Sequence, residues 1–121
     1  MEIPRKHHRV EHEDQTFIKI IRSTNEEKQQ EGATILGTTL DVSVHGVRVS
    51  VPKEIPVGCR IEVWAKSHEQ LGTLKLNGKV VWCRELFATS GIQIGIQLKD
   101  DGTQDYKEYQ RRVVKMFLPI A

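Results

Sequence analysis

Two short groups of residues carry side chains suited to binding a ligand. The first is Arg5-x-x-x-Arg9, and residues 5 to 9 hold three basic side chains and two histidines without an acid. A short basic segment suits a small anion better than a long duplex, whose binding rests on many phosphate contacts. A solvated basic tail is the other interpretation, and this spacing alone does not separate the two.

The second group is Asp41-x-Ser43-x-x-Gly46, which lies between two segments with strand patterns. Asp and Ser side chains bond to the backbone of turns, and glycine supplies a positive φ, so the group predicts a β-turn. A turn that also binds a ligand is the alternative, and both interpretations stay open for this motif taken alone.

Other arrangements for chemistry are weaker. His8 and His12 are four residues apart with His7 beside them, which is a zinc-ligand spacing only on a helix, and no cysteine is near. Cys59 and Cys83 lie in strand patterns without a neighbouring histidine, which predicts small buried side chains. Since no phosphate loop, dinucleotide fingerprint or Gly-x-Ser-x-Gly motif occurs, we expect no enzyme, cofactor or metal.

The chain has the size and composition of one globular domain, with 121 residues, 38% hydrophobic and 28% charged. Its 18 basic and 16 acidic residues give a net charge of +2, which does not indicate a general polyanion binder. No apolar run is long enough to span a membrane, and none follows the basic amino terminus as in a secretion signal. We therefore expect a cytoplasmic protein that binds no DNA and inserts into no membrane.

The elements that must position these motifs are mainly strands, because apolar and polar residues alternate along most of the chain. Residues 92–98 show this alternation most clearly, with four aliphatic residues on one side and Gln, Gly and Gln on the other. Further strand patterns occupy residues 16–22, 34–42, 47–51, 61–65 and 71–83, the second of them broken by Gly37.

The segment 71–83 allows two interpretations. Asn77-Gly78 is a strong hairpin signal, yet the apolar residues on either side of it keep one parity: Leu74, Leu76, Val80 and Trp82. We favour one long strand with a bulge at Gly78. The same parity places Trp82 in the core.

A helix is predicted from Thr103 or Gln104 until Pro119 ends it. Its apolar face consists of Tyr106, Tyr109, Val113, Met116 and Phe117. Six strands followed by one helix predict a mainly β protein, a six-stranded antiparallel β-barrel with a C-terminal α-helix.

The two motifs, taken together and in this order, resemble those of the PilZ domain family. Gly78-Lys79-Val80-Val81-Trp82 is similar to the family's Gly-x-Val-x-Trp strand, and residues 91–96 are similar to its last strand. The resemblance covers nearly the whole chain and implies one PilZ-like domain of the split-barrel type over residues 1–121. It would comprise a flexible basic arm at 1–10, a barrel at 15–99 and a helix at 103–118.

The resemblance implies a bacterial receptor or regulatory module that binds the second messenger cyclic di-GMP. The ligand-binding residues would be Arg5, Arg9, Asp41, Ser43 and Gly46, with Lys6 and Trp82 as additional candidates. The partners would be cyclic di-GMP and an effector protein or a fused domain. Ligand binding would order the arm over the mouth of the barrel.

The residues of the motifs suit this ligand. A guanidinium such as that of Arg5 or Arg9 can bind guanine N7 and O6, or a phosphate, with two hydrogen bonds. The Asp41 carboxylate can accept from guanine N1–H and N2–H, and Ser43 can donate to a phosphate. Trp82 offers a stacking face if it lies outside the core.

One departure from the family pattern bears on how many ligand molecules each site would bind. Many members have a second arginine directly before the first motif arginine, whereas Pro4 stands there in this chain. This favours one ligand molecule per site over a stacked pair. Two other functions remain as alternatives: a PilZ-like adaptor that acts through protein contacts, and a small barrel that binds single-stranded nucleic acid.

Overall fold

Alternating apolar side chains fill the inside of a closed barrel. The computed structural model describes residues 14–23, 31–66, 73–86 and 91–117. Its strands are β1 (Asp14–Arg22), β2 (Thr34–Val42), β3 (Gly46–Val51), β4 (Arg60–Lys66), β5 (Thr73–Leu86) and β6 (Gly91–Leu98), and helix α1 (Gln104–Phe117) follows. All strand pairs are antiparallel, in the closed order β1-β2-β3-β6-β5-β4. The predicted six-stranded antiparallel barrel with a C-terminal helix is confirmed.

The core consists of the inward residues of every strand. Fully buried examples are Ile18 and Ile20 of β1, Val49 of β3, and Ile94 and Ile96 of β6. Removing a side chain of this kind from water contributes about 1.5–3 kcal/mol, so the barrel interior supplies most of the driving force for folding. The intervening residues of each strand form the outer wall.

Strand β2 continues through Gly37 without a break. Gly37 pairs with Thr16 of β1, and a Cβ there would lie 2.7 Å from Val49 Cγ1 and 2.9 Å from the Ser50 carbonyl oxygen. The expected interruption is therefore wrong. The glycine permits a close approach of β3, and the pairing of β2 with β1 continues through it.

Strand β5 is one continuous strand, as predicted, and Asn77-Gly78 forms no hairpin. The bulge, however, does not lie at Gly78, where β5 pairs with β4 in regular register. The register shifts between Val80, which pairs with Ile96, and Trp82, which pairs with Gly95. Because of the extra residue at this point, Trp82 points outward, whereas Val80 points into the barrel. The predicted place of Trp82 in the core is therefore also wrong.

Helix α1 begins with a side-chain cap. Thr103 Oγ1 accepts a hydrogen bond from the Tyr106 backbone N–H at 3.2 Å, and Asp101 Oδ1 accepts one from the Thr103 N–H at 3.1 Å. Asp101 Oδ2 also accepts from Asn77 Nδ2 at 2.8 Å, which ties the helix start to β5. These hydrogen bonds, that from Asn77 first, lower the pKa of Asp101 to about 2.

The apolar face of α1 packs on the barrel as predicted for the three of its residues whose side chains are described. Tyr106, Tyr109 and Val113 are buried. The side chains of Met116 and Phe117, the other two predicted members of this face, lie outside the described part of the structure, as does Pro119. Within that part, no helix has the length and apolar character needed to cross a bilayer.

Both tyrosines hold the connection between β2 and β3. Tyr109 Oη donates to the Ser43 carbonyl oxygen at 2.8 Å, and Tyr106 Oη donates to the Val44 carbonyl oxygen at 3.2 Å. Burial raises the pKa of each phenol, so both stay protonated donors at neutral pH. The helix thus anchors the turn through backbone carbonyls.

We expect Tyr109→Phe to lower the free energy of unfolding by about 1–2 kcal/mol, because the half-buried Ser43 carbonyl loses its shorter hydrogen bond while the ring still packs. Urea unfolding followed by circular dichroism measures the change. Lys107→Ala, an exposed substitution on the same helix, is the control and should leave the midpoint unchanged. An unaltered midpoint in Tyr109→Phe would mean that the phenol does not anchor the turn.

Candidate functional site

The motif Asp41-x-Ser43-x-x-Gly46 forms the tight connection between β2 and β3. The Ser43 backbone N–H donates to the Gly46 carbonyl oxygen at 2.8 Å, and Ser43 Oγ donates to the same oxygen at 3.3 Å. The predicted turn with a serine bonded to the backbone is therefore present. It places the carboxylate and the hydroxyl on one side of the connection.

Gly46 does not have the backbone conformation expected of a turn glycine. Positive φ values among the described glycines occur at Gly32, Gly58 and Gly102, so the expected positive φ at Gly46 is wrong. A Cβ at Gly46 would instead lie 2.9 Å from the Ile96 carbonyl oxygen of β6. The absent side chain allows β3 to begin close against β6.

Four residues on four adjacent strands form one outward row across the barrel wall. Asp41 of β2 pairs with Arg48 of β3, Arg48 pairs with Gly95 of β6, and Gly95 pairs with Trp82 of β5. The row places a carboxylate, a guanidinium, a glycine and an indole side by side. Such a row offers a planar polar ligand a carboxylate and a guanidinium at one end and an aromatic ring at the other.

Arg48 and Asp41 form an ion pair within this row. Arg48 Nη2 lies 2.7 Å from Asp41 Oδ2, and both side chains are largely shielded, with 31% and 18% of their surfaces exposed. Arg48 Nε is buried and donates to no acceptor among the described residues. A buried donor of this kind favours a ligand that brings an acceptor.

Trp82 lies on the outer wall above Gly95. A Cβ on Gly95 would overlap Trp82 Nε1 and Cε2, so only glycine leaves room for the indole at this position. The Arg84 guanidinium lies over the indole, 5.3 Å from the ring centroid, in a cation–π contact. The indole thus lies against Gly95 of β6 and has a cation over its ring.

The outward row and the motif connection line one pocket of about 330 Å³ on the outer wall. Four residues predicted from the sequence meet there: Asp41, Ser43, Gly46 and Trp82. The pocket lies on the wall of the barrel rather than over its mouth, because its polar side chains point outward from the strands. The predicted ordering of the arm over the mouth of the barrel concerns residues outside the described part of the chain, so it stays a prediction.

The predictions missed two further lining residues, Arg48 and Gly95. Arg48 stands two residues after Gly46, so strand parity alone could have placed it on the same outer face. Gly95 interrupts the outward glutamines of β6, but nothing local indicates that a side chain from β5 covers it. The pairing of β5 with β6 decides that.

The remaining candidates lie outside the described residues: Arg5, Lys6 and Arg9, and the histidines His7, His8 and His12. Both cysteines are free thiols, and Cys59 is buried as predicted, while Cys83 is half-buried. Within the described part of the chain, no three histidine, cysteine, aspartate or glutamate side chains are grouped to hold a metal ion.

One family model and several solved structures are similar to this chain. The family model for the PilZ domain matches residues 4–115. MrkH from K. pneumonia in its apo state is 17% identical, with a TM-score of 0.60, over 95% of this chain and 51% of MrkH, so this chain spans about half of that protein. The PilZ domain of YcgR from Escherichia coli, solved with cyclic di-GMP, is 14% identical, with a TM-score of 0.52, over 84% of this chain and 80% of that one. None of the curated proteins compared with the sequence matches it.

We expect Gly95→Ala to displace the Trp82 indole and to destabilise the barrel by about 1–3 kcal/mol, because the added methyl group overlaps the ring. The change should nearly vanish in a Trp82→Ala background, where no ring covers position 95. Unfolding free energies of the two single variants and the double variant measure this coupling. Additive effects would contradict the packing of Trp82 on Gly95.

Proposed function

Because the chain belongs to the PilZ domain family, we propose that it is a receptor module for cyclic di-GMP, without catalytic activity of its own. The single observation that carries the proposal is the pocket that gathers Asp41, Ser43, Gly46 and Trp82 on one wall. Arg5 and Arg9 complete the site, with Lys6 as an additional contact. The ligand acts as a signal and not as a cofactor.

In this proposal the Asp41 carboxylate reads guanine. Guanine presents N1–H and N2–H as two adjacent donors, which suit a carboxylate acceptor. The ion pair with Arg48 holds that carboxylate at the pocket rim, 2.7 Å from the guanidinium. Arg48 Nε, buried without a described acceptor, gives the same region a donor for a ligand oxygen.

Ser43, Gly46 and Trp82 serve the rest of the ligand. The Ser43 hydroxyl makes a long bond of 3.3 Å to the Gly46 carbonyl oxygen, a weak bond that can be exchanged for a phosphate oxygen. Gly46 lets the ligand approach the backbone closely, since no Cβ intervenes. Trp82, which partly lines the pocket, offers an aromatic plane for a guanine base.

The register of β1 supports a role for the arginines of the arm. Asp14 at the start of β1 pairs with Thr39 of β2, two residues before Asp41. The chain therefore enters the barrel next to the pocket. Arg9 stands five positions before Asp14, and an extended chain spans roughly 3.3 Å per residue, so the arginine can reach the pocket rim. Ordering of this arm on ligand binding would present a new surface to an effector protein or a fused domain.

A single-stranded nucleic-acid binder needs exposed aromatic rings for stacking, whereas Tyr106 and Tyr109 are buried between α1 and the barrel. A protein-interaction adaptor is compatible with the same pocket. A cytoplasmic location, without DNA binding or membrane insertion, stays a prediction.

We expect Arg5→Ala and Arg9→Ala each to weaken cyclic di-GMP binding by roughly 1–3 kcal/mol, about tenfold to more than a hundredfold, because each removes a charge-assisted pair of hydrogen bonds. Isothermal titration measures the affinity. Arg60→Ala, on the opposite wall, is the matched control and should bind as the parent does. Unchanged affinity in the Arg5/Arg9 double variant would overturn the role of the arm.

Asp41→Ala should reduce the preference for cyclic di-GMP over cyclic di-AMP. Both ligands have the same phosphates, but adenine has an acceptor at N1 and no amino group at C2. An acceptor facing the carboxylate costs roughly 1–3 kcal/mol, and this penalty disappears with the carboxylate.

Titrations of both nucleotides against the parent and Asp41→Ala measure the affinity ratio, with Glu62→Ala on the opposite wall as the control. The ratio should shrink in Asp41→Ala alone. If Asp41→Ala weakens both ligands equally, Asp41 only shapes the turn.

A further inference from the structure

A second outward row, on the opposite side of the barrel, is apolar. Leu36 of β2 pairs with Phe17 of β1, and Phe17 pairs with Trp64 of β4. The exposed fractions of these side chains are 46%, 39% and 36%. We call these three residues the apolar row, and it spans three strands, or about 10 Å, at the usual strand spacing.

The apolar row breaks the pattern of its own strands. Outward residues of a barrel wall are normally polar, as Gln15 and Lys19 are on either side of Phe17 in β1. Large apolar side chains that lie scattered on a surface need no explanation, but three direct cross-strand neighbours do. Aromatic residues at the centre of a patch are the usual anchors of protein interfaces.

The charged side chains beside the apolar row are mainly basic at one end of this face. Toward the start of β4, the exposed outward side chains include four basic ones, which we call the basic end: Lys19, Arg22, Arg60 and Lys79. Glu62 is the acid among them, and it faces Lys75 at 3.8 Å. Two further acids, Asp101 and Asp105, lie at the border with α1, where they bond to Asn77 and to the Lys75 N–H.

We propose that this face docks a protein partner whose contact segment has apolar side chains followed by acidic ones. The apolar side chains would cover the row, and the acids would meet the basic end. Electrostatic complementarity of this kind sets the orientation of a partner more than its affinity. The proposal is independent of the ligand pocket.

Two other occupants fit less well. Nucleic acid needs several ring faces for stacking, whereas only Phe17 and Trp64 of the row have rings and Leu36 offers no plane. A second copy bound through this same face would offer the basic end a surface with four basic side chains and the acid Glu62. An acidic protein segment satisfies both the apolar and the charged part of the face.

The pocket and this face can be occupied at the same time. The pocket uses the outer sides of β2, β3, β5 and β6, and the apolar row uses those of β1, β2 and β4. Strand β2 contributes Asp41 to one and Leu36 to the other. A partner bound at the row therefore leaves the pocket open.

The test places the photo-crosslinking residue p-benzoylphenylalanine at position 36 of the full chain, in the cells that produce it. Irradiation should join the chain to a protein whose crosslinked segment, identified by mass spectrometry, carries apolar residues next to Asp or Glu. Absence of an adduct, or an adduct with nucleic acid or with a second copy of the chain, overturns the proposal.

The identified partner is then purified and titrated against variants of this chain. Trp64→Ser should weaken binding about tenfold or more, and so should Arg60→Glu combined with Lys79→Glu. Val114→Ser removes another exposed apolar side chain, 42% exposed on α1, and should bind as the parent does. An affinity that is unchanged by the charge reversal, or that falls equally in Val114→Ser, contradicts the proposed surface.

Thermal unfolding of each variant shows whether the fold is intact. Trp64→Ser should keep the parent's midpoint within a few degrees, since the side chain lies on the outer wall. If it does not, Leu36→Ser takes its place in the titration, because Leu36 is the most exposed member of the row. Loss of binding with an intact fold supports the surface, and retained binding overturns it.

Discussion

The extra residue in β5 between Val80 and Trp82 is the constraint on which the site depends. Before it, β5 points Leu74, Leu76 and Val80 into the barrel, and after it Trp82 points outward. The shift leaves the core complete while it places a large aromatic ring on the wall. Gly95 on the neighbouring strand then accepts the ring, since any Cβ there would overlap it.

The motif connection between β2 and β3 is held from two directions. Within it, Ser43 bonds to Gly46, and beneath it the two phenols of α1 donate to the carbonyl oxygens of Ser43 and Val44. The helix therefore does more than cover one part of the barrel. Any movement of the connection on ligand binding must alter these hydrogen bonds to α1.

The two outer walls differ in chemistry because the strands present different outward residues. One wall combines Asp41, Arg48 and Trp82 into a polar pocket with an aromatic plane. The other joins Phe17 and Trp64 with an aliphatic neighbour and a basic end. A closed barrel of six strands is wide enough to separate them, so the proposed ligand pocket and the proposed docking face do not overlap.

Local patterns in the sequence determined the strands, the helix and the turn that carries the motif, because alternation, helical spacing and turn residues act over a few positions. The side that Trp82 faces, the pairing of Arg48 with Asp41 and the fit of the ring on Gly95 were decided by the tertiary structure alone. Each depends on the register between two strands, which no single strand encodes: neighbouring strands for Arg48 and Asp41, and the pairing of β5 with β6 for Trp82 and Gly95. The apolar row became visible for the same reason, since Phe17, Leu36 and Trp64 become neighbours only when β1 lies between β2 and β4.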